Sequence, residues 1–335
     1  MKTALVLGGG GFIGGHIIRR LKKNGYWVRA ADIKMPEFDI SDADEFFQGD
    51  LREQAFVRKV LNKKFDEVYQ LAADMGGAGY INTGNFDADV MNNSALINLL
   101  VADEAHKQKC TKIFFSSSAC VYNEHNQMNT DDPDCREASA YPAFPDSEYG
   151  WEKLFSERMY HSYNKQYKMT NKIARFHNIF GEFGTWTGGK EKSPAAICRK
   201  VALADDGDEI EIWGDGLQTR SFLHIEDCVE GIMRLMAHDS FHGPVNIGSD
   251  YMISINELVD IVSEIAGKTL VKRHIPGPQG VRGRNSNNEV IERELGWRPP
   301  QDLVKGLTAT YTWIEQQIES QNETSNIIHN TNFGR

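Results

Sequence analysis

The chain has 335 residues, 40% of them hydrophobic, enough to bury a large core as one big domain with a smaller appendage or as two domains. A formal net charge of −10 excludes a broad basic surface and with it nucleic acid as the main partner, so any anionic ligand must be held by a local cluster of cations. No apolar run approaches the ~18–20 residues that span a bilayer, and residues 1–7 run straight into four glycines rather than into a secretory apolar stretch. The cysteines Cys110, Cys120, Cys135, Cys198 and Cys228 are odd in number and lack C-x-x-C spacing. The expectation is a cytoplasmic enzyme without a membrane partner, a disulfide framework or a bound metal.

From residue 1 to about 180, short β-rich runs alternate with longer amphipathic ones, which predicts βαβ units around a parallel sheet. Strands are expected at 3–7, 27–31, 67–71, 112–116 and 172–176, and helices at 12–24, 86–106 and 147–163. In the first helix Ile13, Ile17, Ile18 and Leu21 recur at helical spacing and Gly25 closes the run. After residue 180 a glycine-rich loop (181–189) leads into shorter elements: strands at 209–213 and 245–247, helices at 193–204, 225–236, 255–266 and 303–320. The reading is an α/β protein: residues 1–180 a Rossmann-type doubly wound parallel sheet to which some later segments return, and residues 181–320 mainly a smaller C-terminal α/β substrate-binding domain. The polar stretch 321–335 has no periodicity and reads as a mobile tail.

Gly8, Gly11, Phe12, Ile13 and Gly14 follow the first strand and open the first helix. That context turns the backbone tightly and lets a pyrophosphate approach the amides of a helix N-terminus, where the dipole favours negative charge. Asp32, at the end of the second strand, is placed to accept hydrogen bonds from an adenosine ribose and would repel a 2′-phosphate, so the expected cofactor is NAD rather than NADP. Asp50, in a loop, is either a second carboxylate near the adenine or an ordinary surface-turn residue.

Tyr149 and Lys153 lie four apart on one helical face, where an ammonium beside a phenol would lower the phenol pKa from ~10 and make a base usable near neutral pH. Ser118, ending the strand at 112–116, could hydrogen-bond the same substrate hydroxyl. Two residues on sits Cys120, which a plain dehydrogenase would not need; the alternatives are a small core residue or a proton-transfer thiol.

This constellation resembles the extended short-chain dehydrogenase/reductase family, whose members mostly act on nucleotide sugars. Within it, the motifs at 72–77 (Ala-Ala-Asp-Met-Gly-Gly), 117–120 (Ser-Ser-Ala-Cys), 175–179, 184–192, 213–222 and 276–286 resemble the epimerases that invert GDP-mannose at C3 and C5. The resemblance implies oxidation of the sugar at C4 with bound NAD, inversion through a 4-ketone, and re-reduction. It implies Cys120 as the base for C5 and C3 and Lys192 as the acid on the opposite face, with Lys190 a rival acid in the same loop. It also implies substrate contacts from Gly76, Ser118, Asn178, Lys192, Lys200, Gln218, Arg220 and Arg284. The pyrophosphate cations are expected among Lys200, Arg220, Arg282 and Arg284, and the homodimer common in the family would form through the helices at 86–106 and 147–163. Lys190 stands where the family has arginine, and Asn123 where it has proline. A 4-epimerase would need no carbon acid and base, a 4,6-dehydratase would carry Asp-Glu after the serine, and a non-catalytic NAD sensor would not need Ser118, Tyr149 and Lys153 together.

Overall fold

The computed structural model describes residues 1–277 and 280–332. Pro278 of the motif at 276–286 and residues 333–335 of the expected tail lie outside these. The chain runs β1 (Thr3–Leu7), α1 (Phe12–Lys23), β2 (Trp27–Asp32), β3 (Glu45–Gln48), α2 (Gln54–Val60), β4 (Glu67–Gln70), α3 (Ala78–Ile81), α4 (Asp87–Lys107), β5 (Lys112–Ser118), α5 (Glu148–Tyr167) and β6 (Thr170–Phe176). Beyond these come β7 (Ile179–Phe180), α6 (Ser193–Leu203), β8 (Glu209–Trp213), β9 (Thr219–Ser221), β10 (Leu223–His224), α7 (Ile225–Ala237) and β11 (Val245–Ile247). The remainder is β12 (Met252–Ser254), α8 (Ile255–Ala266), β13 (Val271–Ile275), β14 (Gly283–Arg284), α9 (Glu289–Leu295) and α10 (Leu303–Asn332).

Seven parallel strands form the main sheet in the order β11-β6-β5-β4-β1-β2-β3. Alternation along β1 sends Ala4 and Val6 into the layer with α1 and α7, and Leu5 and Leu7 into the layer with α2, α4 and α5. The order reverses at β1, which has β2 on one side and β4 on the other; a crevice opens there beyond the carboxyl ends of the strands. Strand β11 comes from the second half of the chain and extends the sheet beside β6, in register Val245 with Ala174.

The expected elements are present, with differences that have local causes. Helix α8 matches its expected bounds because Ser254 and Glu257 form a reciprocal capping box and Gly267 ends it in the left-handed conformation. Strand β3 was not expected: Glu45–Gln48 is four residues long at a sheet edge and shows no alternation. Helix α10 continues past Ser320 to Asn332, through a polar stretch that contains neither glycine nor proline to stop it. Beyond the main sheet, α6, α8 and α10 share an apolar core with β8 through Ile197, Val201, Ile212, Leu258, Leu307 and Ile314.

An ion pair ties α5 to the sheet. Arg175 on β6 meets Glu157 on α5 at 2.7 Å, with the side chains 1% and 2% exposed, and Ser117 on β5 donates a 2.5 Å hydrogen bond to the same carboxylate. Breaking a buried pair from one side leaves an uncompensated charge and costs about 3–5 kcal/mol. Glu157→Gln is therefore expected to lower the free energy of unfolding by about that amount, measured by urea titration. A loss below about 1 kcal/mol, the scale of a surface pair, would show that the pair does not anchor the helix.

Candidate active site

A cleft of about 660 Å³ opens at the reversal point of the sheet, lined by the glycine turn, Asp32, Asp50, Gly76, Ser118, Tyr149, Lys153, Lys190 and Lys192. At its floor a Cβ on Gly14 would lie 2.1 Å from the Gly8 carbonyl oxygen, so only glycine lets α1 start this close to the end of β1. The Gly11 N-cap supplies no side chain to the first turn, which leaves amides of that turn free for an anion. Phe12 and Ile13 line the cleft from that turn. The Asp32 carboxylate accepts hydrogen bonds from the amides of Gly10 (3.0 Å) and Lys34 (3.2 Å), which fix its direction, while burial pushes its pKa up. Asp50 also lines the cleft but is engaged by Arg52 at 2.6 Å, which holds its carboxyl below the usual range. A dinucleotide fits these features: the uncapped helix start for its pyrophosphate, Asp32 for a ribose, and a volume within the ordinary range of ligand sites.

At the other end of the cleft, α5 presents Tyr149 and Lys153 to the end of β5. Ser147 caps α5 by accepting from the Gly150 amide at 3.2 Å. Lys153 is buried and donates to the Ser116 carbonyl at 2.9 Å, and its ammonium lies 5.5 Å from the Tyr149 ring centre. Burial works against the effect expected from the spacing. The Tyr149 phenol is pushed well above its ordinary value by burial, with the neighbouring Cys120 and Glu152 adding to this and only a hydrogen bond with Ser118 pulling the other way. Lys153 is itself pushed down by burial and donates to a backbone carbonyl. A further cation beside the ring would be needed to bring the phenol down.

Cys120 sits in a 3-10 turn, Ala119–Val121, that Ser118 caps by accepting from the Cys120 amide at 3.2 Å. The turn lies flush on α5 because Gly150 has no Cβ: one there would be 2.1 Å from the Cys120 carbonyl oxygen. Cys120 and Tyr149 consequently share a small buried cluster with Val90, against which Tyr80 and Ile81 pack. Burial pushes the thiol pKa up and Asp146 adds to this, while Arg284, donating to the sulfur at 3.4 Å, pulls it down.

Lys192 lines the cleft, makes no side-chain hydrogen bond or ion pair among the described residues, and is pushed down by burial while Cys120 pulls it up. Lys190 lies instead 3.8 Å from the Tyr80 ring centre, on the loop whose carbonyl accepts from the Gly77 amide. Loop 76–81 thereby touches loop 189–192 across the cleft.

The remaining expected contacts do not line this cleft. Arg220 donates to the carbonyls of Thr219 (2.8 Å) and Val281 (2.6 Å), and its charge is felt by Cys120 and Arg284 beyond the cleft's end. Asn178 donates to the Ser221 carbonyl, Gln218 to that of Trp213 and Lys200 to that of Glu211, while Arg282 pairs with Asp215. Arg284 has its three donor arms on Gln127, Cys120 and Asp146, which sets it beside the thiol rather than among free phosphate ligands. Gln127 and Asp146 were missed from the sequence. They lie 157 and 138 positions from Arg284, and no local pattern links them.

Comparison with known proteins agrees with this geometry. The model of the NAD dependent epimerase/dehydratase family matches residues 4–248. GDP-mannose 3,5-epimerase of Arabidopsis thaliana is 46% identical over 94% of this chain and 83% of its own, and GDP-mannose 3,5-epimerase 1 of Oryza sativa subsp. indica is 46% identical over 94% and 82%. Among solved structures, UDP-glucose 4-epimerase of Thermotoga maritima superposes with a TM-score of 0.82 at 22% identity, covering 94% of this chain and 99% of that one, a likeness of fold. The chain belongs to the NAD dependent epimerase/dehydratase family.

Proposed function

We propose that this protein is a nucleotide-sugar epimerase that converts GDP-mannose to GDP-L-galactose by inversion at C5 and C3, to GDP-L-gulose by inversion at C5 alone, or to both. The observation that carries the reading is the thiol of Cys120 packed against Tyr149, in a chain 46% identical to GDP-mannose 3,5-epimerases over most of its length. Bound NAD would supply the oxidant and then the reductant for C4 of the sugar, so that no net redox change results.

The residues around it divide the proton transfers. Tyr149, once a further cation beside the ring and Lys153 have brought its phenol down, takes the proton of the C4 hydroxyl as the ketone forms and returns it when the alcohol is restored, with Ser118 holding that oxygen. The 4-ketone acidifies the C–H bonds on either side, because the electron pair left on carbon spreads onto the carbonyl oxygen. The Cys120 thiolate takes the proton from C5, and Lys192 delivers one to the opposite face; C3 follows by the same pair. Lys190, held on the Tyr80 ring, is the weaker candidate for the acid. Gly76, Asn178, Lys200, Gln218, Arg220 and Arg284 form the reserve of substrate contacts in this reading, Arg284 acting through the thiol and the elements after residue 180 closing over the sugar.

The same reading makes the protein a cytoplasmic homodimer. It is supported by Leu99 on α4 and Trp151 and Phe155 on α5, which leave large apolar surfaces exposed along two adjacent helices. Among the described residues no helix is long and apolar enough to cross a membrane.

Three measurements test the reading. Gly14→Ala drives a methyl group into the Gly8 carbonyl, so the purified variant is expected to keep its circular dichroism but lose its NAD, seen in the 260 nm absorbance; full retention would remove the cofactor role of the turn. Proton NMR of GDP-mannose in deuterated water should show deuterium entering C5 and C3. Cys120→Ala should abolish that exchange with NAD still bound, Tyr149→Phe should stop exchange and turnover together, and an active Cys120→Ala protein would overturn the base assignment.

The pH profile is the third. A base pushed above the ordinary thiol value of 9.0 must lose its proton while an acid pushed below the ordinary lysine value of 10.5 keeps its own. Activity rises through the first and falls through the second, so the exchange rate should follow a bell narrower than the gap between those two ordinary values, its limbs belonging to the coupled pair. A plateau several pH units wide would contradict these roles.

A further inference from the structure

The Arg284 guanidinium is buried, and each of its three edges meets a different segment. Nε donates to Gln127 Oε1 at 2.5 Å, Nη1 to Cys120 Sγ at 3.4 Å, and Nη2 to Asp146 Oδ2. Gln127 is oriented for this, because its own amide nitrogen is spent on the Tyr122 carbonyl at 3.2 Å. The other oxygen of Asp146 accepts from the Ser147 hydroxyl at 2.8 Å, and Ser147 caps the helix that carries Tyr149. A planar guanidinium held at two edges has no freedom left at the third.

We propose that Asp146 is a positioning residue for the proton-transfer thiol: it clamps Arg284 with one nitrogen on Cys120 Sγ, and its negative charge keeps that sulfur basic. The proposal rests on the reading of Cys120 as the base. In the step concerned, the thiolate takes the C5 proton and becomes a thiol, while the C–H electron pair passes to the carbon and onto the ketone oxygen. An arginine alone beside the sulfur would make the thiolate easy to form and correspondingly weak as a base.

The charged and titratable groups facing Cys120 are Arg284 from β14, Asp146 from the loop before α5, Tyr149 and Lys153 from α5, Lys192 from the loop before α6, and Arg220 from β9. Asp146 is the carboxylate among them. It meets the cations where Arg284 touches the sulfur, and burial and Asp146 together oppose Arg284 at the thiol.

The test uses the NAD-loaded enzyme and two readouts. One is the pH midpoint of Cys120 alkylation by iodoacetamide, followed on its peptide by mass spectrometry; the other is deuterium exchange into GDP-mannose over the same pH range. Asp146→Asn keeps an oxygen for Arg284 but removes the charge, and is expected to lower the midpoint by about one pH unit and to lower the limiting exchange rate. Asp146→Glu, which keeps the charge, should return both towards the parent. Gln127→Glu adds a charge at the second edge of Arg284 and should raise the midpoint, which decides the matter if Asp146→Asn does not fold. A midpoint that stays or rises in Asp146→Asn, or fails to rise in Gln127→Glu, overturns the proposal. Absence of exchange by the parent enzyme at every pH overturns the functional reading instead, and the alkylation midpoints still judge the clamp.

Discussion

Arg175 on β6 and Glu157 on α5 face one another at 2.7 Å in the interior, with Ser117 of β5 sharing the carboxylate. These three groups join two neighbouring strands to the one helix that carries Tyr149 and Lys153. Apolar contacts fix a distance better than a rotation about the helix axis, and the ion pair joins the hydrogen bond from Lys153 to the Ser116 carbonyl in holding that rotation. The rotation matters because Tyr149 and Lys153 must address the end of β5, where Ser116 receives the lysine and Ser118 caps the Cys120 turn. A network of neutral partners continues the anchorage: Tyr122 and His177 meet Asn246 on β11 at 2.5 and 2.9 Å, binding the late strand to the same region.

Two chemically different compartments meet at Tyr149. The cleft over β1 and β4 is built for a dinucleotide, with an uncapped helix start and a carboxylate aimed by backbone amides. The surroundings of Cys120 are buried, and there Arg284 pairs with Asp146, with Arg220 held by backbone carbonyls close by. Burial dominates the proton affinities of both, pushing Tyr149 and Cys120 up and Lys153 and Lys192 down. Burial therefore biases each of these groups towards its neutral form.

Loops from distant parts of the chain meet at both mouths of the cleft. At the end near Lys192, Gly77 and Tyr80 touch the loop of Lys190 and Lys192. At the end near Asp32, Trp313 of α10 contacts Phe38 at 5.2 Å and Phe183 at 5.6 Å between ring centres, linking the last helix to two loops that line the cleft. Helix α10 also packs on α6, whose N-cap is Lys192, so one helix contacts elements at both ends of the cleft.

The sequence by itself determined the parallel sheet, the cofactor turn and the pairing of Tyr149 with Lys153. These features are local: a glycine spacing, an i, i+4 step and an alternation of apolar residues each act within about two helical turns of chain. It also pointed to Cys120 through its neighbour Ser118. What it could not decide was anything set by groups brought together from afar. The edge strands Glu45–Gln48 and Gly283–Arg284 carry no pattern of their own and exist because a partner strand offers its edge. Arg284 reads in the chain as a phosphate ligand, yet Gln127, Asp146 and Cys120 claim its donors. The acidifying effect that spacing alone would give the Tyr149 phenol is opposed by burial, a property of the whole fold.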